Sequence, residues 1–201
     1  MAAIDLGNVC LRVNPDHCAQ ALGYADTNEI AAVYPAVQKL VNRMNRGQLA
    51  PDTFFADLAA NLPGLTTDRA RRAWIEVLGP EIEGMKSVIG EILAAHVRPV
   101  FFSDTCPTHY AHIIATLSFA DRVPGAVLSF RVGALKPEPA MFVAMEKTWC
   151  GGNVPLFYTD DLEENVAAAH SRGWHAHLFR DVPGCLHAFR NRLHTFRTEH
   201  R

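Results

Sequence analysis

The sequence predicts an α/β protein with a Rossmann-like parallel sheet core and an inserted helical cap. Three observations carry this. A short apolar run, Ala2 to Ile4, ends on Asp5 and passes into Gly7-Asn8, as a strand running into a polar loop would. Residues Pro15 to Lys86 are then rich in Ala, Leu, Asn, Asp and Gln at helical spacing. From Ser87 onwards short apolar runs alternate with helical stretches, the pattern of a parallel sheet covered on both faces. The expected division is a core of residues 1–14 and 87–201 and a cap of residues 15–86.

The elements follow in order. Within the cap, breaks fall at Gly47, Pro51, Pro63-Gly64 and Gly79-Pro80, giving several helices. Arg46-Gly47 reads as a helix end, and Pro51-Asp52 as a helix start, because proline is tolerated in a first turn. In the second core segment, strands are expected at Val97 to Phe102, Val127 to Phe130, Val154 to Tyr158 and His175 to Phe179. Helices are expected at Pro107 to Leu117, Pro139 to Lys147 and Leu162 to Arg172. The basic tail, Arg190 to Arg201, reads as a surface helix.

Bulk properties narrow the function classes. A chain of 201 residues, 49% hydrophobic and 20% charged, can bury a real core and is not a disordered segment. Its net charge of -2 argues against a nucleic-acid binder, which needs concentrated basic charge to neutralise phosphates. Cys10, Cys18, Cys106, Cys150 and Cys185 form an odd set without a CxxC pair, as expected of reduced thiols in a cytoplasmic protein. No basic leader precedes a long apolar run, and no stretch has the length needed to cross a bilayer, so no membrane partner is expected. Oligomeric state leaves no signal in the sequence.

Four polar clusters fall at expected strand ends: Asp5-Leu6-Gly7-Asn8, Ser103-Asp104-Thr105, Lys136-Pro137 and Asp160-Asp161. In open parallel sheets ligands bind at the carboxyl ends of strands, so these clusters converge on one edge. Together they suit phosphoryl transfer. A carboxylate nucleophile repels an anionic phosphate unless a cation lies between them, and an acidic pair can hold magnesium through oxygen ligands. The Ser103 hydroxyl and the backbone amides from Ser103 to Thr105 could bind phosphate oxygens. Lys136 would offset the charge that spreads over them in the transition state.

The stretches IDLGNV, VFFSDT, GALKPEPAMF and FYTDDLEENVAAA resemble the motifs of the haloacid dehalogenase (HAD) superfamily of aspartyl phosphohydrolases, in that family's order and from end to end of the chain. The helical insertion sits where one branch of the family carries its cap. Within that branch the chain looks most like bacterial sugar-1-phosphate phosphatases and the phosphatase half of soluble epoxide hydrolases, with RGQLAPDTFF resembling a cap segment. The resemblance implies Asp5 as nucleophile and magnesium ligand, with the Gly7 carbonyl and the Asp161 side chain as further ligands. It implies Asp160 as support for the metal, Ser103 and the following amide as phosphate holders, and Lys136 as the bridge between nucleophile and phosphate. The expected substrate is a small phosphorylated metabolite, plausibly a sugar 1-phosphate.

Two positions depart from the family pattern. Gly7 stands where most of its phosphatases place an aspartate that protonates the leaving alkoxide, a contribution of about 10² to 10⁴ in rate. Asp104 stands where asparagine is common, and either caps its loop or contacts substrate or transfers a proton. A metal-free dehalogenase and a degenerate binding protein are the competing readings; the Asp160-Asp161 pair weighs against the first, and the set Asp5, Lys136 and Asp161 against the second. His109 and His112 lack a third ligand at metal-site spacing. His170, His175 and His177 read as surface or packing residues, and Cys106 as a thiol without a base. Phe54, Phe55 and Trp74 read as cap core, one of them able to line a substrate entrance. Arg43 and Arg46 read as a solvated face.

Overall fold

The structure, a computed structural model, describes residues 1–199. The chain opens with β1 (Ala2–Ile4) and β2 (Leu11–Val13), then enters the helices α1 (Pro15–Leu22), α2 (Thr27–Val33), α3 (Val37–Asn45), α4 (Pro51–Asn61) and α5 (Thr67–Ile75). It returns through β3 (Leu78–Glu81) and α6 (Met85–Ala94) to β4 (Pro99–Ser103), α7 (Pro107–Thr116), β5 (Ala126–Leu128) and the short α8 (Ser129–Val132). The remainder is α9 (Pro139–Trp149), β6 (Phe157–Asp160), α10 (Glu163–Ser171), β7 (Ala176–Leu178) and α11 (Val182–Glu199).

Five strands form one sheet in the order β5-β4-β1-β6-β7, and each neighbouring pair is parallel. The chain moves outward from β1 through β4 to β5, then crosses back over β1 to lay down β6 and β7. Strand order therefore reverses between β1 and β6, and that switch point is where an open α/β sheet leaves a crevice. Side-chain alternation along the strands divides the core. Ile4, Phe101 and Phe157 pack on one face with Val88 and Ile92 of α6 and Phe189 of α11. Ala3, Phe102 and Tyr158 pack on the other with Phe142 and Met145 of α9 and with Trp174. Burial of a strand on both faces explains why these runs are continuously apolar rather than alternating.

The α/β reading of the sequence holds, with differences at element ends. β6 begins three residues later than expected because Pro155 offers no N–H to a ladder and Val154 is left exposed; pairing with β1 starts at Phe157. The run read as a strand to Phe130 stops at Leu128 and turns into α8. Gly79-Pro80, read as a helix break, lies inside β3, which pairs antiparallel with β2. A two-stranded ribbon has a free edge on which proline costs no ladder bond. The basic tail is helical to Glu199 within α11, and its last two residues, 200 and 201, lie outside the described residues. No described helix is long and apolar enough to cross a membrane.

The helices α1 to α5 form their own apolar cluster, which takes in Phe54, Phe55, Leu58 and, from the sheet domain, Cys106. Two further contacts fix this helical unit over the sheet edge. Arg46, read from sequence as solvated, forms a bidentate ion pair with Glu138, with Nη1 2.9 Å from Oε2. Beside it, Gly47 sits at φ +67, and a Cβ there would lie 2.2 Å from the Phe130 carbonyl oxygen. Both the left-handed backbone and the close approach require glycine. Gly47→Ala is expected to lower unfolding stability by about 1–3 kcal/mol, read from the midpoint of a urea transition; an unchanged midpoint would contradict the close approach.

Candidate active site

The carboxyl ends of β1, β4 and β6 deliver the polar clusters to one place. Asp5, Gly7, Ser103, Asp104, Lys136 and Asp161, all singled out from the sequence, line a single cavity of about 250 Å³. Its centre is an ion cluster. Lys136 Nζ lies 2.9 Å from Asp5 Oδ1, 2.5 Å from Asp160 Oδ2 and 3.0 Å from the Phe102 carbonyl oxygen. Those three acceptors match the three protons of an ammonium group. The lysine side chain is only 2% exposed, so its charge is tolerable only because two carboxylates face it.

The two carboxylates play different parts. Asp160 is saturated: Oδ2 also accepts from the Tyr158 hydroxyl, and Oδ1 accepts from the Leu162 amide at 2.9 Å and Asn165 Nδ2 at 3.0 Å. Burial pulls its pKa up, but Lys136 and these donors hold it below the ordinary value. Asp5 is pushed up to about 7 by burial, with Lys136 opposing and Asp160 and Asp161 adding repulsion. Among the described residues nothing donates to its Oδ2. Asp161 is also raised, first by burial, although Asn8 Nδ2 donates to it at 3.2 Å. One lysine thus faces three carboxyl groups, leaving a cluster short of positive charge.

That shortage fits a hard cation. Ligand oxygens of Asp5, Asp160 and Asp161 lie within 4.8 Å of one another. Asp160 has spent both oxygens on protein donors, so Asp5 and Asp161 are the carboxylates open to a divalent ion, with Asp160 steering Lys136 and the β6 loop.

The β4 loop is shaped by a residue the sequence reading passed over. Ser129 Oγ accepts from the Thr105 amide at 2.9 Å and donates to the Thr105 carbonyl at 3.0 Å. The Thr105 amide, expected among the phosphate donors, is therefore occupied. The Ser103 hydroxyl and the Asp104 amide remain, because neither donates within the protein. Asp104 Oδ1 accepts from the Lys136 amide at 3.0 Å, tying the loop that carries the lysine to the one that carries Ser103. Burial lifts its carboxyl to about 6.

Tyr158 and Asn165 also escaped the sequence reading, which puts Asn8 in a polar cluster but gives it no role. Asn8 adopts φ 51, a left-handed conformation that asparagine tolerates, and accepts from the Val13 amide while holding Asp161. Tyr158 stands two residues before Asp160 in β6, and its hydroxyl donates to the same Asp160 oxygen as Lys136; period-two spacing was the available signal. Among the described histidines, His109 alone lines the cavity. Its ring stacks on Trp74 at 4.8 Å, and Nε2 lies 2.8 Å from the Trp74 carbonyl oxygen, which can only accept. Nε2 therefore carries the proton. Burial lowers the His109 pKa to about 4, so the ring is neutral near pH 7 and has no proton to give from Nδ1. All five cysteines are free thiols, and Cys106 caps α7 while accepting from Trp74 Nε1 at 3.4 Å.

No family model matches the sequence, and no curated protein does. Solved structures do. The HAD family enzyme BT-2542 from Bacteroides thetaiotaomicron is similar with a TM-score of 0.78 at 18% identity, over 90% of this chain and 93% of that one. Its wild-type complex with magnesium and inorganic phosphate matches with a TM-score of 0.73 at 17% identity, over the same shares. L-2-haloacid dehalogenase from Xanthobacter autotrophicus, with chloropropionic acid covalently bound, matches with a TM-score of 0.59 at 17% identity, over 87% of this chain and 75% of that one. At these identities the likeness concerns architecture: this chain has the fold of the HAD-family enzymes.

Proposed function

We propose that this chain is a HAD-type hydrolase, a magnesium-dependent phosphatase that releases phosphate from a small phosphorylated metabolite through an aspartyl-phosphate on Asp5. The observation that carries the reading is the pairing of Asp5, held by Lys136 at the switch point, with an Asp161 carboxylate close enough to share a cation. A dehalogenase needs no cation at this place; three clustered carboxyl groups with one lysine favour the anionic substrate.

In this reading a carboxylate oxygen of Asp5 attacks phosphorus as the bond to the leaving alcohol oxygen breaks. Asp5, Asp161 and the Gly7 carbonyl would hold Mg²⁺, which when bound screens the nucleophile from the phosphate and spreads the developing charge. Lys136, its three N–H bonds spent on Asp5, Asp160 and the Phe102 carbonyl, fixes the Asp5 carboxylate and offsets phosphate charge through space, while Ser103 and the Asp104 amide hold the phosphate oxygens. Water then hydrolyses the acyl phosphate and restores Asp5. Residues 15–86 act as the cap that covers the cleft. Three free cysteines buried in apolar surroundings, Cys10, Cys18 and Cys185, suit a reducing compartment such as the cytoplasm.

Asp5→Asn keeps the shape of the side chain but replaces the nucleophile, and is expected to abolish turnover of aryl phosphate while the circular dichroism spectrum is unchanged. Undiminished turnover would exclude the aspartyl mechanism.

Cation binding has a thermodynamic signature as well. Asp5 is raised from 3.8 to about 7 in the folded chain, so between those values the native state binds a proton that the unfolded state has released. Without metal, Asp5 therefore costs stability as pH rises through this window. A cation competes with that proton. Saturating Mg²⁺ should raise the melting temperature more at pH 8 than at pH 5.5, equivalent to about 2.7 kcal/mol at a hundredfold excess over the dissociation constant. Asp161→Ala should remove most of the shift. A shift equal at both pH values, or full activity after chelation, would contradict the assignment.

Gly7 sets the leaving-group preference. With glycine in place of the family's acid, alkoxide expulsion has little proton assistance unless Asp104 supplies it, and neutral His109 supplies none. The penalty falls as the alcohol becomes more acidic, so glycosyl and aryl phosphates, sugar 1-phosphates among them, are favoured over terminal sugar phosphates. The expected result is a steep dependence of kcat/KM on leaving-group acidity, flattened by Gly7→Asp. Gly7 has no left-handed φ, and a Cβ there meets Val13 Cγ2 at 3.3 Å, so the substitution asks only a small shift of that side chain. A flat dependence in the unmodified protein would instead point to Asp104 as proton donor.

A further inference from the structure

A second cavity, of about 310 Å³, opens inside the helical unit and joins the first. Val13, Asp104, Thr105 and His109 line both. Beyond that shared neck its wall is made chiefly by Leu22, Ile30, Val41, Phe54, Leu58 and Trp74. Asp104 is the one charged lining residue, and it stands at the neck. Of the polar residues further in, Thr27 donates its hydroxyl to Asp16 and Gln38 donates to Asn42, which leaves the Asn45 amide as the remaining polar side chain of the wall.

We infer that the leaving group is an apolar, aromatic alcohol seated in this cavity, its oxygen at the neck and its phosphate over Asp5. The inference rests on the phosphatase reading and chooses between the leaving groups that reading favours. A sugar presents several hydroxyls, each of which loses a water partner on entry and finds almost no donor or acceptor in this wall. A phenolic ring loses nothing of the kind. Size agrees: a cavity of roughly 150 Å³ lined by aliphatic and aromatic side chains takes one benzene ring, so this one takes a bicyclic ring or an alkyl-substituted phenol. Chemistry agrees as well, because a phenolate departs without the acid that Gly7 lacks. Trp74 and neutral His109, stacked at the junction, present flat uncharged rings to a flat substrate.

The test is a series of 4-alkylphenyl phosphates, from phenyl through methyl, propyl and butyl, with glucose 1-phosphate alongside, all assayed with Mg²⁺ on the full chain. Leaving-group acidity is nearly constant along the series, so only apolar size changes. kcat/KM is expected to rise about fourfold per buried methylene, and every aryl member is expected to exceed glucose 1-phosphate. Val41→Trp, which fills part of the cavity, should reduce the ratio of butylphenyl to phenyl phosphate. Hydrolysis that depends on Asp5 but is flat along the series, or fastest with glucose 1-phosphate, would overturn the apolar assignment and leave the phosphatase reading standing. No Asp5-dependent release from any member would overturn both.

Discussion

Everything at the sheet edge depends on the buried ammonium of Lys136. Among the described residues it is the one cation placed among Asp5, Asp160 and Asp161, and without it two buried carboxylates would face each other uncompensated. Breaking such a pair by removing one partner typically costs about 3–5 kcal/mol. The cluster is therefore a constraint on the fold as much as a feature of the site. β1 and β6 must end side by side, and the loop after α8 must cross the sheet edge to bring Lys136 in from 131 residues away in sequence. The parallel order that reverses between β1 and β6 achieves both.

The same cluster leaves the site unsatisfied in a specific direction. Asp160 is saturated by four donors and held ionised, which commits the lysine charge to positioning. Asp5 keeps an oxygen without a protein partner, and Asp161 keeps only Asn8. What the protein has not neutralised a cation can, and what a cation holds can face an anion. Ser129 and Asp104 add rigidity from the other side: the first pins the Thr105 peptide at both its polar atoms, the second ties the Ser103 loop to the Lys136 backbone. These bonds set the positions of the remaining donors, the Ser103 hydroxyl and the Asp104 amide.

Much of this was legible in the sequence because strand ends are local signals. An apolar run that stops on a polar residue marks its own boundary, and three such stops, at Asp5, Ser103 and Asp160, are strand ends that gather one site; Lys136, expected at a strand end too, arrives instead from the loop after α8, eight residues beyond the end of β5. Residues that act through long-range side-chain contacts gave no such mark. Ser129 looked like an ordinary strand residue until its hydroxyl met Thr105, and Arg46 looked solvated until Glu138 came to it. The start of β6 was misread because Val154 is apolar, although Pro155 argued against a ladder there. Periodicity could not reveal the β2–β3 ribbon, whose strands of three and four residues carry Gly79 and Pro80 and pair across the whole helical insertion.

The insertion sits over the cleft at the sheet edge, held to the core at several places. The ribbon at its base, the Arg46–Glu138 pair, the close approach of Gly47 to Phe130 and the stacking of Trp74 on His109 bind it to the core at separate points. Apolar helices that packed only on one another would close their own centre; here the centre stays open and communicates with the cleft through Val13, Asp104, Thr105 and His109. Polarity changes sharply at that neck, from carboxylates and lysine on one side to aliphatic and aromatic walls on the other. A ligand that fits both halves is itself divided, anionic at one end and apolar at the other, with the bond to be broken at the boundary. Gly7 stands on the anionic side of that boundary; in the proposed phosphatase reaction a glycine there would leave departure of the alcohol to its own acidity, and the cavity beyond the boundary would admit the alcohols for which that suffices.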